Sequence, residues 1–238
     1  MLGAIAALGF GLVPRTPAIP AGTRNDGCVR VWNFAGTGTS ALSVGLGGGA
    51  DRDQGGPLMV ARGTLPGEQR NYRRVPPGRY LVAVSPAEPA AGGSGETLPH
   101  EELALAPGEH RTILLLTRHG RPAIEILADD LPEDAPPRLR VLNLTEVRPA
   151  LAEVRGGERR VISPAIPPGI SELSRYGAGG NAIYEVGIPR GDGSIGKLRI
   201  EVGPGAARSR TLTIAHDRYG RIEVWAAVDA ELGGGEGD

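Results

Sequence analysis

Few residues in this chain are of types that do chemistry, and each sits in a pattern that can be held against what the chemistry needs. A serine nucleophile of the Gly-Asp-Ser type follows its aspartate directly, but Gly191-Asp192-Gly193-Ser194 places a glycine between acid and hydroxyl. Such a serine also needs a histidine oriented by a carboxylate. His216 and Asp217 are adjacent at a predicted strand-to-strand turn, so the stretch around Ser194 reads as a hairpin loop. A Gly-x-Ser-x-Gly elbow is absent too. Gly191 through Lys197 has P-loop spacing, but Leu198 stands where a hydroxyl would bind Mg²⁺. The alternating Leu198–Val202 that follows predicts a strand, where a phosphate site needs a helix N-terminus. No nucleotide or other cofactor is implied, and no catalytic residue is assigned.

Metal ligands are equally scattered. His100, His110, His119 and His216 form no His-x-Glu or Cys-x-x-Cys grouping. Asp51 and Asp53 offer too few oxygens for Ca²⁺. Cys28 is the single cysteine, so no intrachain disulfide is possible. Its neighbours predict a strand start and a packed or edge thiol. Asn25-Asp26-Gly27 before it rule out lipoprotein modification, which needs small apolar residues there.

One patch is charged enough to bind something. Arg62, Arg70, Arg73, Arg74 and Arg79 fall in a short span with Glu68 as the only acid among them. Successive strand residues point to opposite faces, so Arg73 and Arg74 cannot share one stripe. Two readings are open: a solvated sheet face whose arginines discourage edge pairing, or a contact surface for a polyuronate or an acidic partner. Aromatic residues to stack bases are nearly absent around the patch, Tyr72 and Tyr80 excepted, which argues against nucleic acid. A formal net charge of -1 also gives no global attraction to nucleic acid or anionic lipid. Lys197 is the only lysine. The excess of arginine fits a GC-rich genome, or the bidentate binding of carboxylates.

The elements that would carry these residues are strands. Val29-Arg30-Val31-Trp32-Asn33-Phe34 returns as Leu139-Arg140-Val141-Leu142-Asn143-Leu144. Gly120-Arg121 and Gly220-Arg221 each lead into an apolar strand. A repeat of roughly 100 to 110 residues is far longer than the ~20–50 of a solenoid unit and has the size of a domain. The 38 glycines and 21 prolines supply turns, and with aromatics at 4% the cores must be built from Val, Leu, Ile and Ala. No long stretch shows a helical period.

The predicted fold is therefore all-β: two tandem antiparallel β-sandwich domains, at 23–128 and 138–229. A proline-rich acidic linker at 129–137 joins them, and a glycine-rich tail at 230–238 is expected to be disordered. In the first half, strands are expected at Val29–Phe34, Ala41–Leu46, Leu58–Leu65, Asn71–Val75, Tyr80–Val84, Leu103–Leu105, Thr112–Thr117 and Ala123–Leu127. In the second they are expected at Leu139–Leu144, Ala150–Val154, Arg160–Ile162, Ala182–Ile188, Leu198–Val202, Arg210–Ala215 and Ile222–Val228. Pro76-Pro77-Gly78 and Pro167-Pro168-Gly169 predict tight turns, with the glycine at positive φ. Trp32 and Trp225 are expected to pack in cores, carbohydrate stacking being the alternative. Residues 1–22 read as a signal peptide: Leu2 to Val13 is an apolar run too short to span a membrane and fits a secretory h-region without its basic start.

Taken in order, Val29-Arg30-Val31-Trp32-Asn33, Leu42-Ser43-Val44-Gly45, Tyr72-Arg73, Val75-Pro76-Pro77-Gly78-Arg79-Tyr80, Leu103-Ala104-Leu105-Ala106-Pro107 and Leu139-Arg140-Val141-Leu142-Asn143-Leu144 resemble the AlgF family. The correspondence of motifs runs from Val29 to about Ile166. Beyond it the chain matches in length and strand style. Gly47–Gly56 and Pro86–Pro99 depart from the pattern as insertions. The resemblance implies a periplasmic accessory protein for O-acetylation of an exported polysaccharide, alginate or similar. Its implied partners are periplasmic acetyltransferase components, a membrane O-acyltransferase, or both; the polyuronate itself is a further candidate, from the arginine patch. The role it implies is an adaptor. The alternatives are a carbohydrate-binding module that holds the polymer and a genuine polysaccharide O-acetyltransferase.

Overall fold

The computed structural model describes residues 26–35, 41–48, 57–87, 99–118, 121–130, 138–174, 182–202, 209–217 and 219–228. The expected signal peptide, the Asp51/Asp53 loop, His119, most of the Pro86–Pro99 loop, positions 131–137 of the linker and the tail lie outside the described residues. What is described is all-β, in four sheets.

Residues 27–128 supply two sheets. In the first, β1 (Gly27–Phe34) is flanked on one side by the short β4 (Glu68–Gln69) and β5 (Arg73–Val75), and on the other by β8 (His110–Arg118), with β9 (Arg121–Ala128) outermost. The second has the order β3 (Leu58–Thr64), β2 (Leu42–Gly48), β6 (Gly78–Pro86), β7 (His100–Leu105). Residues 138–228 repeat both orders. One sheet is β13 (Gly169–Ser174), β10 (Arg138–Asn143), β16 (Ser209–His216), β17 (Ile222–Val228). The other is β12 (Glu158–Ser163), β11 (Ala150–Arg155), β14 (Ala182–Pro189), β15 (Ile195–Val202). The hexapeptide repeat thus marks one strand, β1 and β10, in two copies of the same topology.

Strand direction departs from expectation. β1 pairs β8 in parallel, and β10 pairs β16 in parallel, so the sheets containing the repeat are mixed rather than antiparallel. Alternation of side chains reports which face a residue takes and says nothing of the neighbour's direction. The burial of β1 agrees with its parallel pairing. Every residue of Gly27–Phe34 is buried, as is usual where a sheet is covered on both faces.

Two coverings produce that burial. Val29, Val31, Ile113 and Leu115 from the first sheet meet Val44, Leu46, Val82 and Leu103 from the second in one apolar cluster. Leu139, Val141, Leu212 and Ile214 meet Leu151, Tyr184 and Val186 in the corresponding cluster of the second half. A third cluster lies between the halves. Trp32, Phe34, Leu114, Leu116 and Leu127 pack with Leu142, Ala215 and the partly buried Trp225. The Phe34 and Trp225 rings stand 5.3 Å apart. Each fully buried aliphatic side chain contributes about 1.5–3 kcal/mol, so the third cluster is a core in its own right.

Two strands escaped the sequence reading. β4 is too short to carry a pattern, and β13 was hidden behind the turn at Pro167-Pro168-Gly169. That turn opens onto an edge strand, with Gly169 at φ 105°. The turn at Pro76-Pro77-Gly78 leads into the interior strand β6, and Gly78 keeps a negative φ, contrary to expectation. There the Tyr80 hydroxyl donates to the Pro76 carbonyl and closes the turn from the side-chain side.

Candidate functional site

The structure disperses the basic run. Arg62, Arg70 and Arg73 gather along β3, the edge strand of its sheet. Arg73 Nη1 donates to the Met59 carbonyl at 2.6 Å, and Arg70 Nη2 reaches the Arg62 carbonyl at 3.5 Å and Glu68 at 3.1 Å. Two guanidinium groups therefore occupy carbonyls that an incoming strand would need. Arg79 stands exposed on β6, across from Ala104 of β7. Arg74 belongs elsewhere: it is half-buried on β5 and faces Cys28 across the β5–β1 pair.

The candidate loop at Gly191–Ser194 is the hairpin between β14 and β15. Gly193 takes φ 79° and its N–H donates to the Arg190 carbonyl. The Ser194 hydroxyl and N–H both donate to Asp192, at 2.6 and 2.9 Å, which holds that carboxyl below its ordinary pKa. Lys197 and Leu198 continue into strand β15. His216 lies in a different sheet, with Nδ1 at 3.0 Å from the Gly220 carbonyl. Burial works against ionisation of Asp217, yet the Arg221 backbone and guanidinium and the Tyr219 N–H keep its carboxyl below the usual range. Ser194, His216 and Asp217 are each engaged locally and do not converge.

The repeated hexapeptide does converge. Arg30 and Arg140, at equivalent places in β1 and β10, both reach Asp129. Arg140 Nη1 is 3.0 Å and Arg30 Nη2 is 3.6 Å from Oδ1. The other carboxylate oxygen accepts from Thr112 Oγ1 at 2.6 Å and from the Tyr72 hydroxyl at 2.8 Å. Thr112 in turn accepts from Arg30 Nε at 2.7 Å. The Arg30 guanidinium lies 4.1 Å from the Trp32 ring centre and 4.5 Å from that of Tyr72. Asp129 is fully buried, and both arginine side chains are nearly so. The first residue of the expected linker is thus a buried ionic centre shared by both halves.

The repeated asparagine has a structural explanation. Asn33 Nδ2 donates to the Thr64 carbonyl while its Oδ1 accepts from the Ala35 N–H. Asn143 Nδ2 donates to the Val147 and Ile166 carbonyls while its Oδ1 accepts from the Thr145 N–H. Each amide ties off the backbone just after its strand.

Beside the ionic centre lies a constellation that sequence reasoning missed. Cys28 and His110 are direct partners in the β1–β8 pair. The His110 ring places Nδ1 2.8 Å from Asp130 Oδ1, and its backbone N–H donates to Asp130 Oδ2. The shared register sets the Cys28 side chain beside the same ring. Burial alone would lower the His110 pKa, but the hydrogen bonds and charges of Asp130 and Cys28 outweigh it and raise the value to about 9. Tyr72 meets the imidazole edge-on, with ring centres 5.2 Å apart. Arg74, as the other cross-strand partner of Cys28, projects from the same face. Cys28 and His110 are 82 positions apart in the chain and no spacing motif links them. Only the parallel β1–β8 register brings them together.

Among the described residues no cluster of three His, Cys, Asp or Glu side chains is arranged to hold a metal ion, and no helix is long and apolar enough to cross a membrane. Compared with family models and with curated proteins, the chain gives no match to either.

Proposed function

We propose that this chain is a non-catalytic periplasmic adaptor for O-acetylation of an exported polysaccharide, alginate or similar, of the AlgF type. In this reading the chain is exported by residues 1–22 and folds as two β-sandwich domains, one per half. Its partners are periplasmic acetyltransferase components or the membrane O-acyltransferase.

The observation that carries the reading is how the two kinds of contact surface are distributed. A sugar binder offers exposed aromatic rings, but Trp32 is 1% exposed and Trp225 is packed against Phe34. The outer face of the β3-β2-β6-β7 sheet carries a small apolar centre instead, with exposed Glu102 and His100 of β7 opposite Leu81 and Ala83. Leu81 is 45% exposed there, beside exposed Ala83 and Ala104, and Pro57 and Met59 cover Gly45. Arg79 borders this face on the same side as Leu81. An apolar centre with an arginine at its margin suits a protein partner. Leu81→Glu with Ala83→Glu is expected to keep the fold and abolish co-purification with the acetylation components. Retained co-purification, or transfer of acetyl groups to an oligosaccharide by the purified chain alone, refutes the adaptor.

Polyuronate binding remains the second reading because of Tyr219. It is 67% exposed with the Arg221 guanidinium 5.3 Å from its ring centre. Tyr219→Ala would weaken polymer binding in that case and leave the adaptor contacts untouched.

A further inference from the structure

We propose that Cys28, His110 and Asp130 form a nucleophilic thiol site that accepts a small acyl group as a thioester, with Arg74 as its neighbouring cation. The inference is independent of the adaptor reading.

Three observations meet at the sulfur. The register of β1 and β8 sets the thiol beside an imidazole. That imidazole is oriented through its other nitrogen by a carboxylate at 2.8 Å. This is the order of nucleophile, base and orienting acid that acyl transfer to sulfur requires. The register of β1 and β5 sets an arginine on the opposite flank. The elements packed around the thiol bring no competing carboxylate onto its own strand pairs: β8 contributes His110, β5 contributes Arg74, and Asp130 is engaged by His110. Tyr72 and Arg30, one step further along the face, are committed to Asp129.

The chemistry balances without an oxidant or a cofactor. Above about pH 9, where His110 is neutral, the thiol proton passes to the imidazole. The sulfur lone pair attacks the carbonyl carbon of an activated ester or thioester, and a C–S bond forms. As the tetrahedral adduct collapses, the bond from carbon to the leaving oxygen or sulfur breaks. His110 returns the proton to that leaving group. Arg74 lies where a developing oxyanion would gain from a positive charge. Cys28 is 6% exposed, and the His110 and Asp130 side chains are 13% and 19% exposed. The cluster thus meets solvent at its imidazole and carboxylate.

The folded chain is mixed with p-nitrophenyl acetate, and released nitrophenolate and intact mass are followed together. The expected result is a burst of about one equivalent, as an acyl-enzyme intermediate gives, with one acetyl group on Cys28 that neutral hydroxylamine removes. Cys28→Ala abolishes the burst, and His110→Gln slows it by about 100-fold or more. Asp130 acts through His110, so Asp130→Asn is expected to shift the pH profile of acylation as well as its rate. Alkylation of Cys28 by iodoacetamide gives a second reading. Alkylation of the folded chain that slows in His110→Gln supports the pairing. A thiol that reacts only after unfolding, or at an unchanged rate in His110→Gln, overturns the proposal.

Discussion

Asp129→Ala is the most demanding test of how the two halves are held together. The side chain is fully buried and is approached by two guanidinium groups that are themselves 5% and 3% exposed. It also accepts hydrogen bonds from Thr112 and Tyr72. Removing the carboxylate leaves Arg30 and Arg140 as buried cations with no counter-ion at Asp129. Breaking one partner of a buried ion pair costs about 3–5 kcal/mol. A chain of this size loses about 2–4 °C in Tm per kcal/mol, so a fall on the order of 10 °C is expected. Asp129→Asn keeps the shape and one acceptor and should lose less. Calorimetry and urea unfolding of the wild type and both variants would measure this, with Arg30→Ala and the double variant completing a cycle. Coupling of about 0.5–3 kcal/mol between Arg30 and Asp129 is expected. If Asp129→Ala unfolds within about 1 kcal/mol of wild type, below the cost of a broken buried pair, the shared ionic centre carries no such role.

Other consequences can be checked in the same way. The raised His110 pKa means stability is full below about pH 6.5 and is lost as pH rises through about 9. Because the ring is partly open to water, the loss should be about 1–2 kcal/mol, less than the full shift implies, and Asp130→Asn should remove most of it. The groups facing that ring are Cys28, Asp130 and Tyr72, so urea titrations at several pH values in Cys28→Ala separate the thiol's share. Asn143→Ala leaves the Val147 and Ile166 carbonyls and the Thr145 N–H without the amide, and should cost about 1–3 kcal/mol in denaturant unfolding. Arg70→Ala with Arg73→Ala should hardly change stability, but it frees carbonyls along β3, so light scattering should report self-association. Ser194→Ala removes one exposed turn hydrogen bond and should shift stability by less than about 0.5 kcal/mol.

The all-β class and most strand positions were legible because alternation and turn residues act over a few neighbours. Val29-Arg30-Val31 reads as a strand whatever lies beside it. What lay beyond reach was everything that depends on which strands become neighbours. Arg30 looks like a solvent-facing residue in an alternating strand, and it is buried because a second repeat copy lies across from it. Asp129 reads as the start of a linker from its prolines and acids, and only the arrival of Arg140 makes it an interior residue. The arginine run was visible as charge, but its division between β3, β5 and β6 follows from folding. Cys28 and His110 illustrate the same limit: their pairing follows from a parallel register that no local pattern encodes.

That parallel register also governs how the chain can fold. β1 is the first described strand of the first half, yet its long partner is β8, and the Arg30–Thr112 hydrogen bond spans 82 positions. Most of a repeat must be synthesised before its first strand can find that neighbour, and each half imposes the same delay, since β10 must wait for β16. The entropy of closing so long a loop comes before the contacts that reward it. Folding should therefore be slow for the chain's size, with β1 and β10 left as exposed apolar segments until late. Such a chain stays unfolded for longer after synthesis, a window in which it can be threaded through a narrow channel or captured by a chaperone before the sheets close.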